Sequence, residues 1–162
     1  TKAHPSPITQ KTQQLINPYK KSQQYPNMYQ KALWYYKQKK YLAAIKIFQI
    51  ILKSTKNRKT KELANYYIAE AYYALGNSNR ALKYSEKVLS NPVTTKDQAA
   101  VFRKGTIHFK KGNYQEAVAE FQRAISNYPN STYSEKAKKW KQESLELISE
   151  KKKFQERELL LK

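Results

Sequence analysis

Apolar and small residues recur at intervals of three and four along residues 101–130. The first half of this stretch carries Phe102, Gly105 and Phe109 at this spacing. The second half carries a longer set, which comprises Tyr114, Ala117, Val118, Phe121, Ala124 and Ile125. Because side chains three and four residues apart share one face of an α-helix, each half predicts an amphipathic helix. Gly112 between them suits a helix end, so the stretch predicts a helical hairpin.

The same hairpin pattern occurs twice more in the chain. Ala117, the small residue in the middle of the second helix, has counterparts at Ala81 and Ala44, at steps of 36 and 37 residues. Because one hairpin cannot bury its apolar faces alone, such copies are expected to stack. We interpret residues 55–60 as a basic polar turn. The predicted helices lie at about 28–38, 41–54, 61–75, 78–90, 96–111 and 114–127.

The strongest copy resembles the tetratricopeptide repeat. The residues that match its signature in order are Gly105, Gly112, Tyr114, Ala117, Phe121, Ala124 and Pro129. The copy around Ala81 also fits, whereas the first copy has Ala32 and Lys39 at the glycine positions. The resemblance implies an all-α fold, a right-handed α-solenoid of about three helical hairpins. The expected repeats span about 28–57, 62–92 and 98–130.

A further amphipathic pattern follows Pro129. Ser131 or Thr132 offers a helix cap, and Glu135 stands in the first turn. We therefore expect a capping helix over 132–150, with its apolar face given by Tyr133, Ala137, Trp140, Leu147 and Ile148. Residues 151–162 either extend this helix or form a frayed tail. Their apolar side chains are either a loose end or a docking or self-association contact.

Charge is distributed unevenly along the chain, whose formal net charge is +20. Residues 1–61 contain 14 Lys or Arg and no acidic residue. Two readings stay open: a general preference for Lys, since only five of the 32 basic residues are Arg, or a basic end that faces an anionic partner. Four prolines within residues 1–27 predict a disordered or extended leader, which would serve as a tether.

The family resemblance implies that the first helix of each hairpin lines a concave groove that binds protein partners. An aromatic pair seven residues apart recurs in all three first helices, so each pair shares a helix face. These rings either pack between neighbouring helices or form a ladder for an extended or helical peptide. The candidate groove residues are Tyr29, Leu33, Tyr36, Lys37, Tyr66, Glu70, Tyr73, Phe102, Thr106, Phe109 and Lys110.

Residues 128–140, YPNSTYSEKAKKW, are similar to the junction between repeats in bacterial cell-envelope members of the family. These are the Tol-Pal accessory protein and, more loosely, the outer-membrane assembly lipoprotein BamD. This resemblance implies a scaffold in outer-membrane protein assembly or, alternatively, in Tol-Pal function during envelope division. The expected location is the periplasm, with a lipid anchor upstream of the leader and the basic leader near the membrane. The cytoplasm is the alternative.

Residues suited to catalysis are few. The chain has two histidines, His4 and His108, one aspartate, Asp97, and no cysteine. We therefore expect no enzymatic activity, no metal site and no cofactor. A basic module for nucleic acid or another anionic surface is the competing class, because tyrosines lie among lysines. The scarcity of arginine and the lack of a known nucleic-acid-binding module count against it.

Overall fold

The computed structural model describes residues 27–90 and 92–161, which are α-helical with no strand. The all-α solenoid predicted from the sequence is confirmed. Six helices form three consecutive hairpins, and a seventh, longer helix follows them. The helices are α1 Met28–Lys37, α2 Tyr41–Ser54, α3 Arg58–Ala74, α4 Ser78–Leu89, α5 Lys96–Lys110, α6 Tyr114–Asn127 and α7 Thr132–Leu160.

Among the six hairpin helices, the largest difference from the predicted ends is at the start of α3. This helix begins at Arg58, inside the stretch interpreted as a turn over residues 55–60. The Asn57 side chain caps it, since its Oδ1 accepts a hydrogen bond from the Thr60 backbone N–H at 2.9 Å. This cap satisfies a backbone donor that would otherwise lack a partner, so the helix starts three residues early.

The three hairpin turns share one backbone geometry. Gly76 and Gly112 have φ of +75°, and Lys39 takes the equivalent place in the first hairpin with φ of +57°. In each turn this residue donates its N–H to the carbonyl three residues earlier, at 2.9 to 3.0 Å. A left-handed conformation costs a side-chain-bearing residue roughly 1–2 kcal/mol, which glycine avoids. The repeat is therefore preserved in the backbone even where its glycine is absent.

The core is built where the hairpins stack. Ala44, Ala81 and Ala117 are all fully buried, which confirms the register drawn from their spacing. One apolar cluster joins the first two hairpins around Phe48, and a second joins the third hairpin to α7 around Phe121. Small residues at these seams let neighbouring helices approach closely.

Helix α7 packs on α5 and α6 through Tyr133 and Trp140, as the first helix of another hairpin would. Its side chains are buried as far as Ser144, and Leu147 and Ile148 are half-buried. The helix then continues to Leu160 without a break at residue 150, so the final segment extends it. The predicted leader lies, up to residue 26, outside the described residues. Across the described part, no helix has both the length and the apolar content required to cross a membrane.

Candidate partner-binding site

The predicted groove residues lie on α1, α3 and α5, the first helices of the hairpins. Direct contacts join these helices side by side: the Tyr36 and Tyr67 rings lie 5.2 Å apart, and Arg103 reaches Glu70. We call the surface formed by these three helices the first-helix face. It brings the sequence-predicted residues into one region, but their side chains differ in what they expose.

The α1 rings are partly built into the core. Tyr29 packs edge-on against Phe48 at 5.9 Å, and Tyr36 packs edge-on against Tyr41 and Tyr67. Burial, followed by neighbouring charges, raises the pKa of Tyr29 and Tyr36 to about 12. Leu33 is half-buried beside them, whereas Lys37 is exposed. Tyr29 therefore packs within the first hairpin, and Tyr36 joins the first hairpin to the second.

On α5, two predicted contacts are buried: Phe102 is 9% exposed and Thr106 only 2%. The Phe102 ring lies 5.7 Å from Phe121 and 5.5 Å from Tyr133. The expectation that these two side chains present an open surface is therefore wrong. Tyr133 of α7 covers Phe102, whereas Thr106 lies beside Tyr73 of α3.

Phe109 is half-buried by α7. Its ring meets Trp140 edge-on at 4.8 Å and Tyr114 at 5.4 Å. Phe102 and Phe109, which are seven residues apart on α5, therefore lie at the interface between α5 and α7. This agrees with the reading in which the rings pack between neighbouring helices.

The α3 tyrosines have a different environment, because α5 places cations against their rings. The Lys96 Nζ lies 4.5 Å from the centroid of the Tyr66 ring. Around Tyr73, the Arg103 guanidinium carbon lies 3.8 Å and the Lys110 Nζ 4.0 Å from the ring centroid. Such cation–π contacts stabilise both partners and fix the rings in place.

Lys96 and Arg103 were missed in the sequence interpretation. Their signal was nonetheless present, because residues 96, 103 and 110 are seven apart and share one face of α5. We call Lys96, Arg103 and Lys110 the cation row.

Glu70 of α3 pairs with the middle member of the cation row. Arg103 donates from Nε and Nη2 to the two carboxylate oxygens of Glu70 at 2.6 and 2.7 Å. This two-pronged geometry is the strong form of an Arg–carboxylate contact. Within residues 27–90 and 92–161, neither Lys96 nor Lys110 forms an ion pair. The row thus keeps two charges that a ligand can neutralise.

The pKa values of the two α3 tyrosines shift in opposite directions. Burial acts to raise the pKa of Tyr73, but hydrogen bonding with Lys110 and Thr106 and the charges of Arg103 and Lys110 outweigh it and lower the pKa. At Tyr66, burial and the nearby Glu70 carboxylate raise the pKa instead. The positive potential is therefore concentrated around Tyr73, where an anionic group of a ligand is favoured.

Three stacked hairpins with a shared turn geometry define a helical-repeat protein. Two family models, each described as a tetratricopeptide repeat, match the chain over residues 66–132 and 23–54. These two stretches are therefore tetratricopeptide repeats, and such repeats indicate a scaffold for protein–protein interactions. A comparison with curated proteins gave no match.

Proposed function

We propose that this chain is a non-catalytic scaffold that binds an acidic protein segment on its first-helix face. The observation that carries the proposal is the cation row seated on Tyr66 and Tyr73. Tyrosine offers a large contact area at low entropic cost and a hydroxyl for the partner's backbone. Lysines without an acidic partner offer charge to a carboxylate. The tyrosines of α3 and the lysines of α5 therefore place both kinds of contact next to each other.

The spacing of the row sets the length of the bound segment. Residues 96 and 110 are two steps of seven apart on α5, which is about 21 Å along a helix. An extended peptide covers that distance with about six residues. Because neighbouring side chains already hold the rings, little ordering entropy is lost on binding. An extended segment with carboxylates near both ends fits this surface.

Crosslinking in the native cell tests the proposal. The double variant Lys96→Glu and Lys110→Glu reverses the two unpaired charges, so the captured partner should be lost while the helical circular dichroism persists. Lys46→Glu with Lys83→Glu is the matched control, because both lysines are exposed on second helices. Equal capture by both double variants would move the binding site off the first-helix face.

The proposed setting is a bacterial cell-envelope complex, such as outer-membrane protein assembly, with the Tol-Pal system as the alternative. The similarity of residues 128–140 to envelope members of the family supports it. The proposed location is the periplasm with a lipid anchor and a basic leader near the membrane, and the cytoplasm is the alternative. Identification of the crosslinked protein separates these settings, since an envelope partner supports the first and a cytoplasmic partner the second.

Single-stranded nucleic acid is a second candidate ligand, because rings beside unpaired cations also suit stacked bases and phosphates. A salt titration with an oligonucleotide distinguishes the two. Phosphate binding predicts that log affinity falls with log salt by about 0.7 per contact for a single strand. No binding at low salt would remove this candidate and leave the protein segment.

A further inference from the structure

The end of α7 is exposed to solvent, and its residues Lys151 and Phe154 line a cavity together with Tyr114 of α6. Residues 149–161 are all exposed, and we call them the overhang. The helical part of the overhang, to residue 160, extends about 18 Å at 1.5 Å per residue. Phe154 is 63% exposed and Leu161 86%. Leaving such side chains in water costs free energy that a partner would recover.

The packed face of α7 continues into this overhang. Ala137 and Ser144 are buried against the hairpins, and residues 151 and 158 follow them in steps of seven. Trp140 and Leu147 belong to the adjacent row, which residues 154 and 161 continue. The result is a stripe at spacings of four and three, as in a coiled coil. We call Leu147, Lys151, Phe154, Glu158 and Leu161 the seam.

The seam is complementary to itself when a second copy runs in the opposite direction. A two-fold axis at Phe154 places Phe154 against its own equivalent and Leu147 against Leu161 of the second copy. The same axis sets residue 151 level with residue 157 of the second copy, so Lys151 and Glu158 of the second copy are offset by one residue, about 1.5 Å along the helix axis. Each of these pairs joins apolar to apolar or positive to negative.

The flanking charges obey the same symmetry. Glu150 and Arg157 stand just beside the seam, and an antiparallel arrangement brings them opposite each other across the pair. A parallel arrangement would instead set Lys151 against Lys151 and Glu158 against Glu158. Because like charges facing one another are destabilising, the antiparallel direction is favoured.

We propose that two copies of this chain associate through antiparallel pairing of their overhangs along the seam. The contact is short, about two heptads, and smaller than the interfaces of obligate dimers. It is therefore a reversible dimer whose population rises with protein concentration. The seam shares no residue with the first-helix face.

Sedimentation over a concentration series reaching the high micromolar range tests the pairing. The unmodified chain should shift from monomer to dimer, and Phe154→Ser should remain monomeric. Leu160→Ser is the matched control: Leu160 is 86% exposed but lies off the seam, so this variant should dimerise like the parent. Both variants should melt like the parent, because the exposed overhang contributes little to the folded core. A monomer at every concentration, or equal loss in both variants, would overturn the proposal.

Charge exchange tests the direction of pairing. Lys151→Glu alone or Glu158→Lys alone places like charges together in the antiparallel pair, so each should weaken dimerisation at least several-fold. The double exchange, Lys151→Glu with Glu158→Lys, restores the complementary pairs and should restore the dimer. In a parallel pair, single exchanges leave like charges facing each other as before. Single variants that dimerise normally would therefore contradict the antiparallel arrangement.

Discussion

Tyr73 differs from Tyr29, Tyr36 and Tyr66 in the direction of its pKa shift. Burial raises the pKa of Tyr29 and Tyr36 to about 12. At Tyr73 burial acts in the same direction, but contact with Lys110, Thr106 and Arg103 reverses the outcome and lowers the pKa. One residue type thus has two chemical characters within a single surface, and the neighbouring cations make the difference.

Alkaline titration should resolve this difference. Tyr73 should ionise before Tyr29, Tyr36 and Tyr66, because nearby cations stabilise the tyrosinate. Tyr73→Phe should remove the earliest phase of tyrosinate absorbance, whereas Tyr36→Phe, the matched control, should remove a late phase. If the earliest phase survives in Tyr73→Phe, the cation row does not act on that hydroxyl as the geometry indicates.

The same shifts predict how stability depends on pH. The pKa of Tyr36 is about 12 in the folded protein, whereas the ordinary value for a tyrosine is 10.0. As the pH rises, the unfolded chain therefore loses the Tyr36 hydroxyl proton before the folded protein does. The stabilisation is therefore fully present below pH 10 and is lost as the pH rises toward 12. Denaturant unfolding in that window should show a smaller loss of stability in Tyr36→Phe than in the parent. An equal loss would assign the alkaline instability to other groups.

At the scale of the element, small residues allow the two helices of each hairpin to pack closely. Ala117 of α6 is fully buried, and Phe121 on the same helix is also fully buried one turn later. The helices can approach this closely because alanine adds only a methyl group there. The register of the whole repeat therefore depends on side-chain size at three positions, Ala44, Ala81 and Ala117.

A larger side chain at Ala117 should destabilise the hairpin. Ala117→Leu inserts a branched side chain into a filled space and should cost about 1–3 kcal/mol of unfolding free energy. Ala119→Leu is the matched control, because Ala119 is exposed on the same helix. Its stability should change by less than about 0.5 kcal/mol. The comparison is made by denaturant unfolding, and equal effects would argue against the assigned register.

The Glu70–Arg103 pair joins α3 to α5, and its side chains are only 14% and 22% exposed. Removing either partner leaves a poorly hydrated charge, so Arg103→Gln should cost about 1–3 kcal/mol. A double-mutant cycle with Glu70→Gln should give a coupling energy of at least about 0.5 kcal/mol. The exposed Lys138–Glu135 pair, also at 2.6 Å, is the control, with about 0.3 kcal/mol expected. Equal couplings would mean that burial adds nothing to the first pair.

At the scale of the whole molecule, two surfaces are formed by different helices. The cation row is carried by α5, and the overhang lies beyond the last buried residue of α7. The packed helices α5 to α7 connect them, but no residue belongs to both. A scaffold with separate sites for a partner and for a second copy can present two partner-binding faces at once, which raises effective affinity without new contacts.

The two surfaces should therefore respond independently to mutation. Phe154→Ser should abolish the dimer but leave one-to-one partner binding unchanged, because Phe154 belongs to α7 and makes none of the cation–π contacts of Tyr66 and Tyr73. Lys96→Glu with Lys110→Glu should abolish partner binding but leave dimerisation unchanged. Calorimetry at low protein concentration measures partner binding, and sedimentation measures dimerisation. Loss of both properties in one variant would show that the surfaces are coupled.

The local pattern was sufficient for the helices and their pairing. Spacings of three and four fix which side of each helix is apolar, and Gly76 and Gly112 mark turns that require a positive φ. The candidate site was only partly predictable. Lys37 and Lys110 are exposed as a groove requires, but Phe102 and Thr106 are not, since a residue's own helix does not reveal which neighbour covers it.

By itself, the sequence determined three stacked hairpins and a further amphipathic helix, because helix period, turn chemistry and repeat spacing are local properties. Only the tertiary structure decided which rings are covered and which meet cations. Arg103 and Glu70 are 33 residues apart in the chain, and they meet because stacking sets one repeat beside the next. The tertiary structure also decided that α7 runs on past its last support, since only packing shows where the hairpins end beneath it.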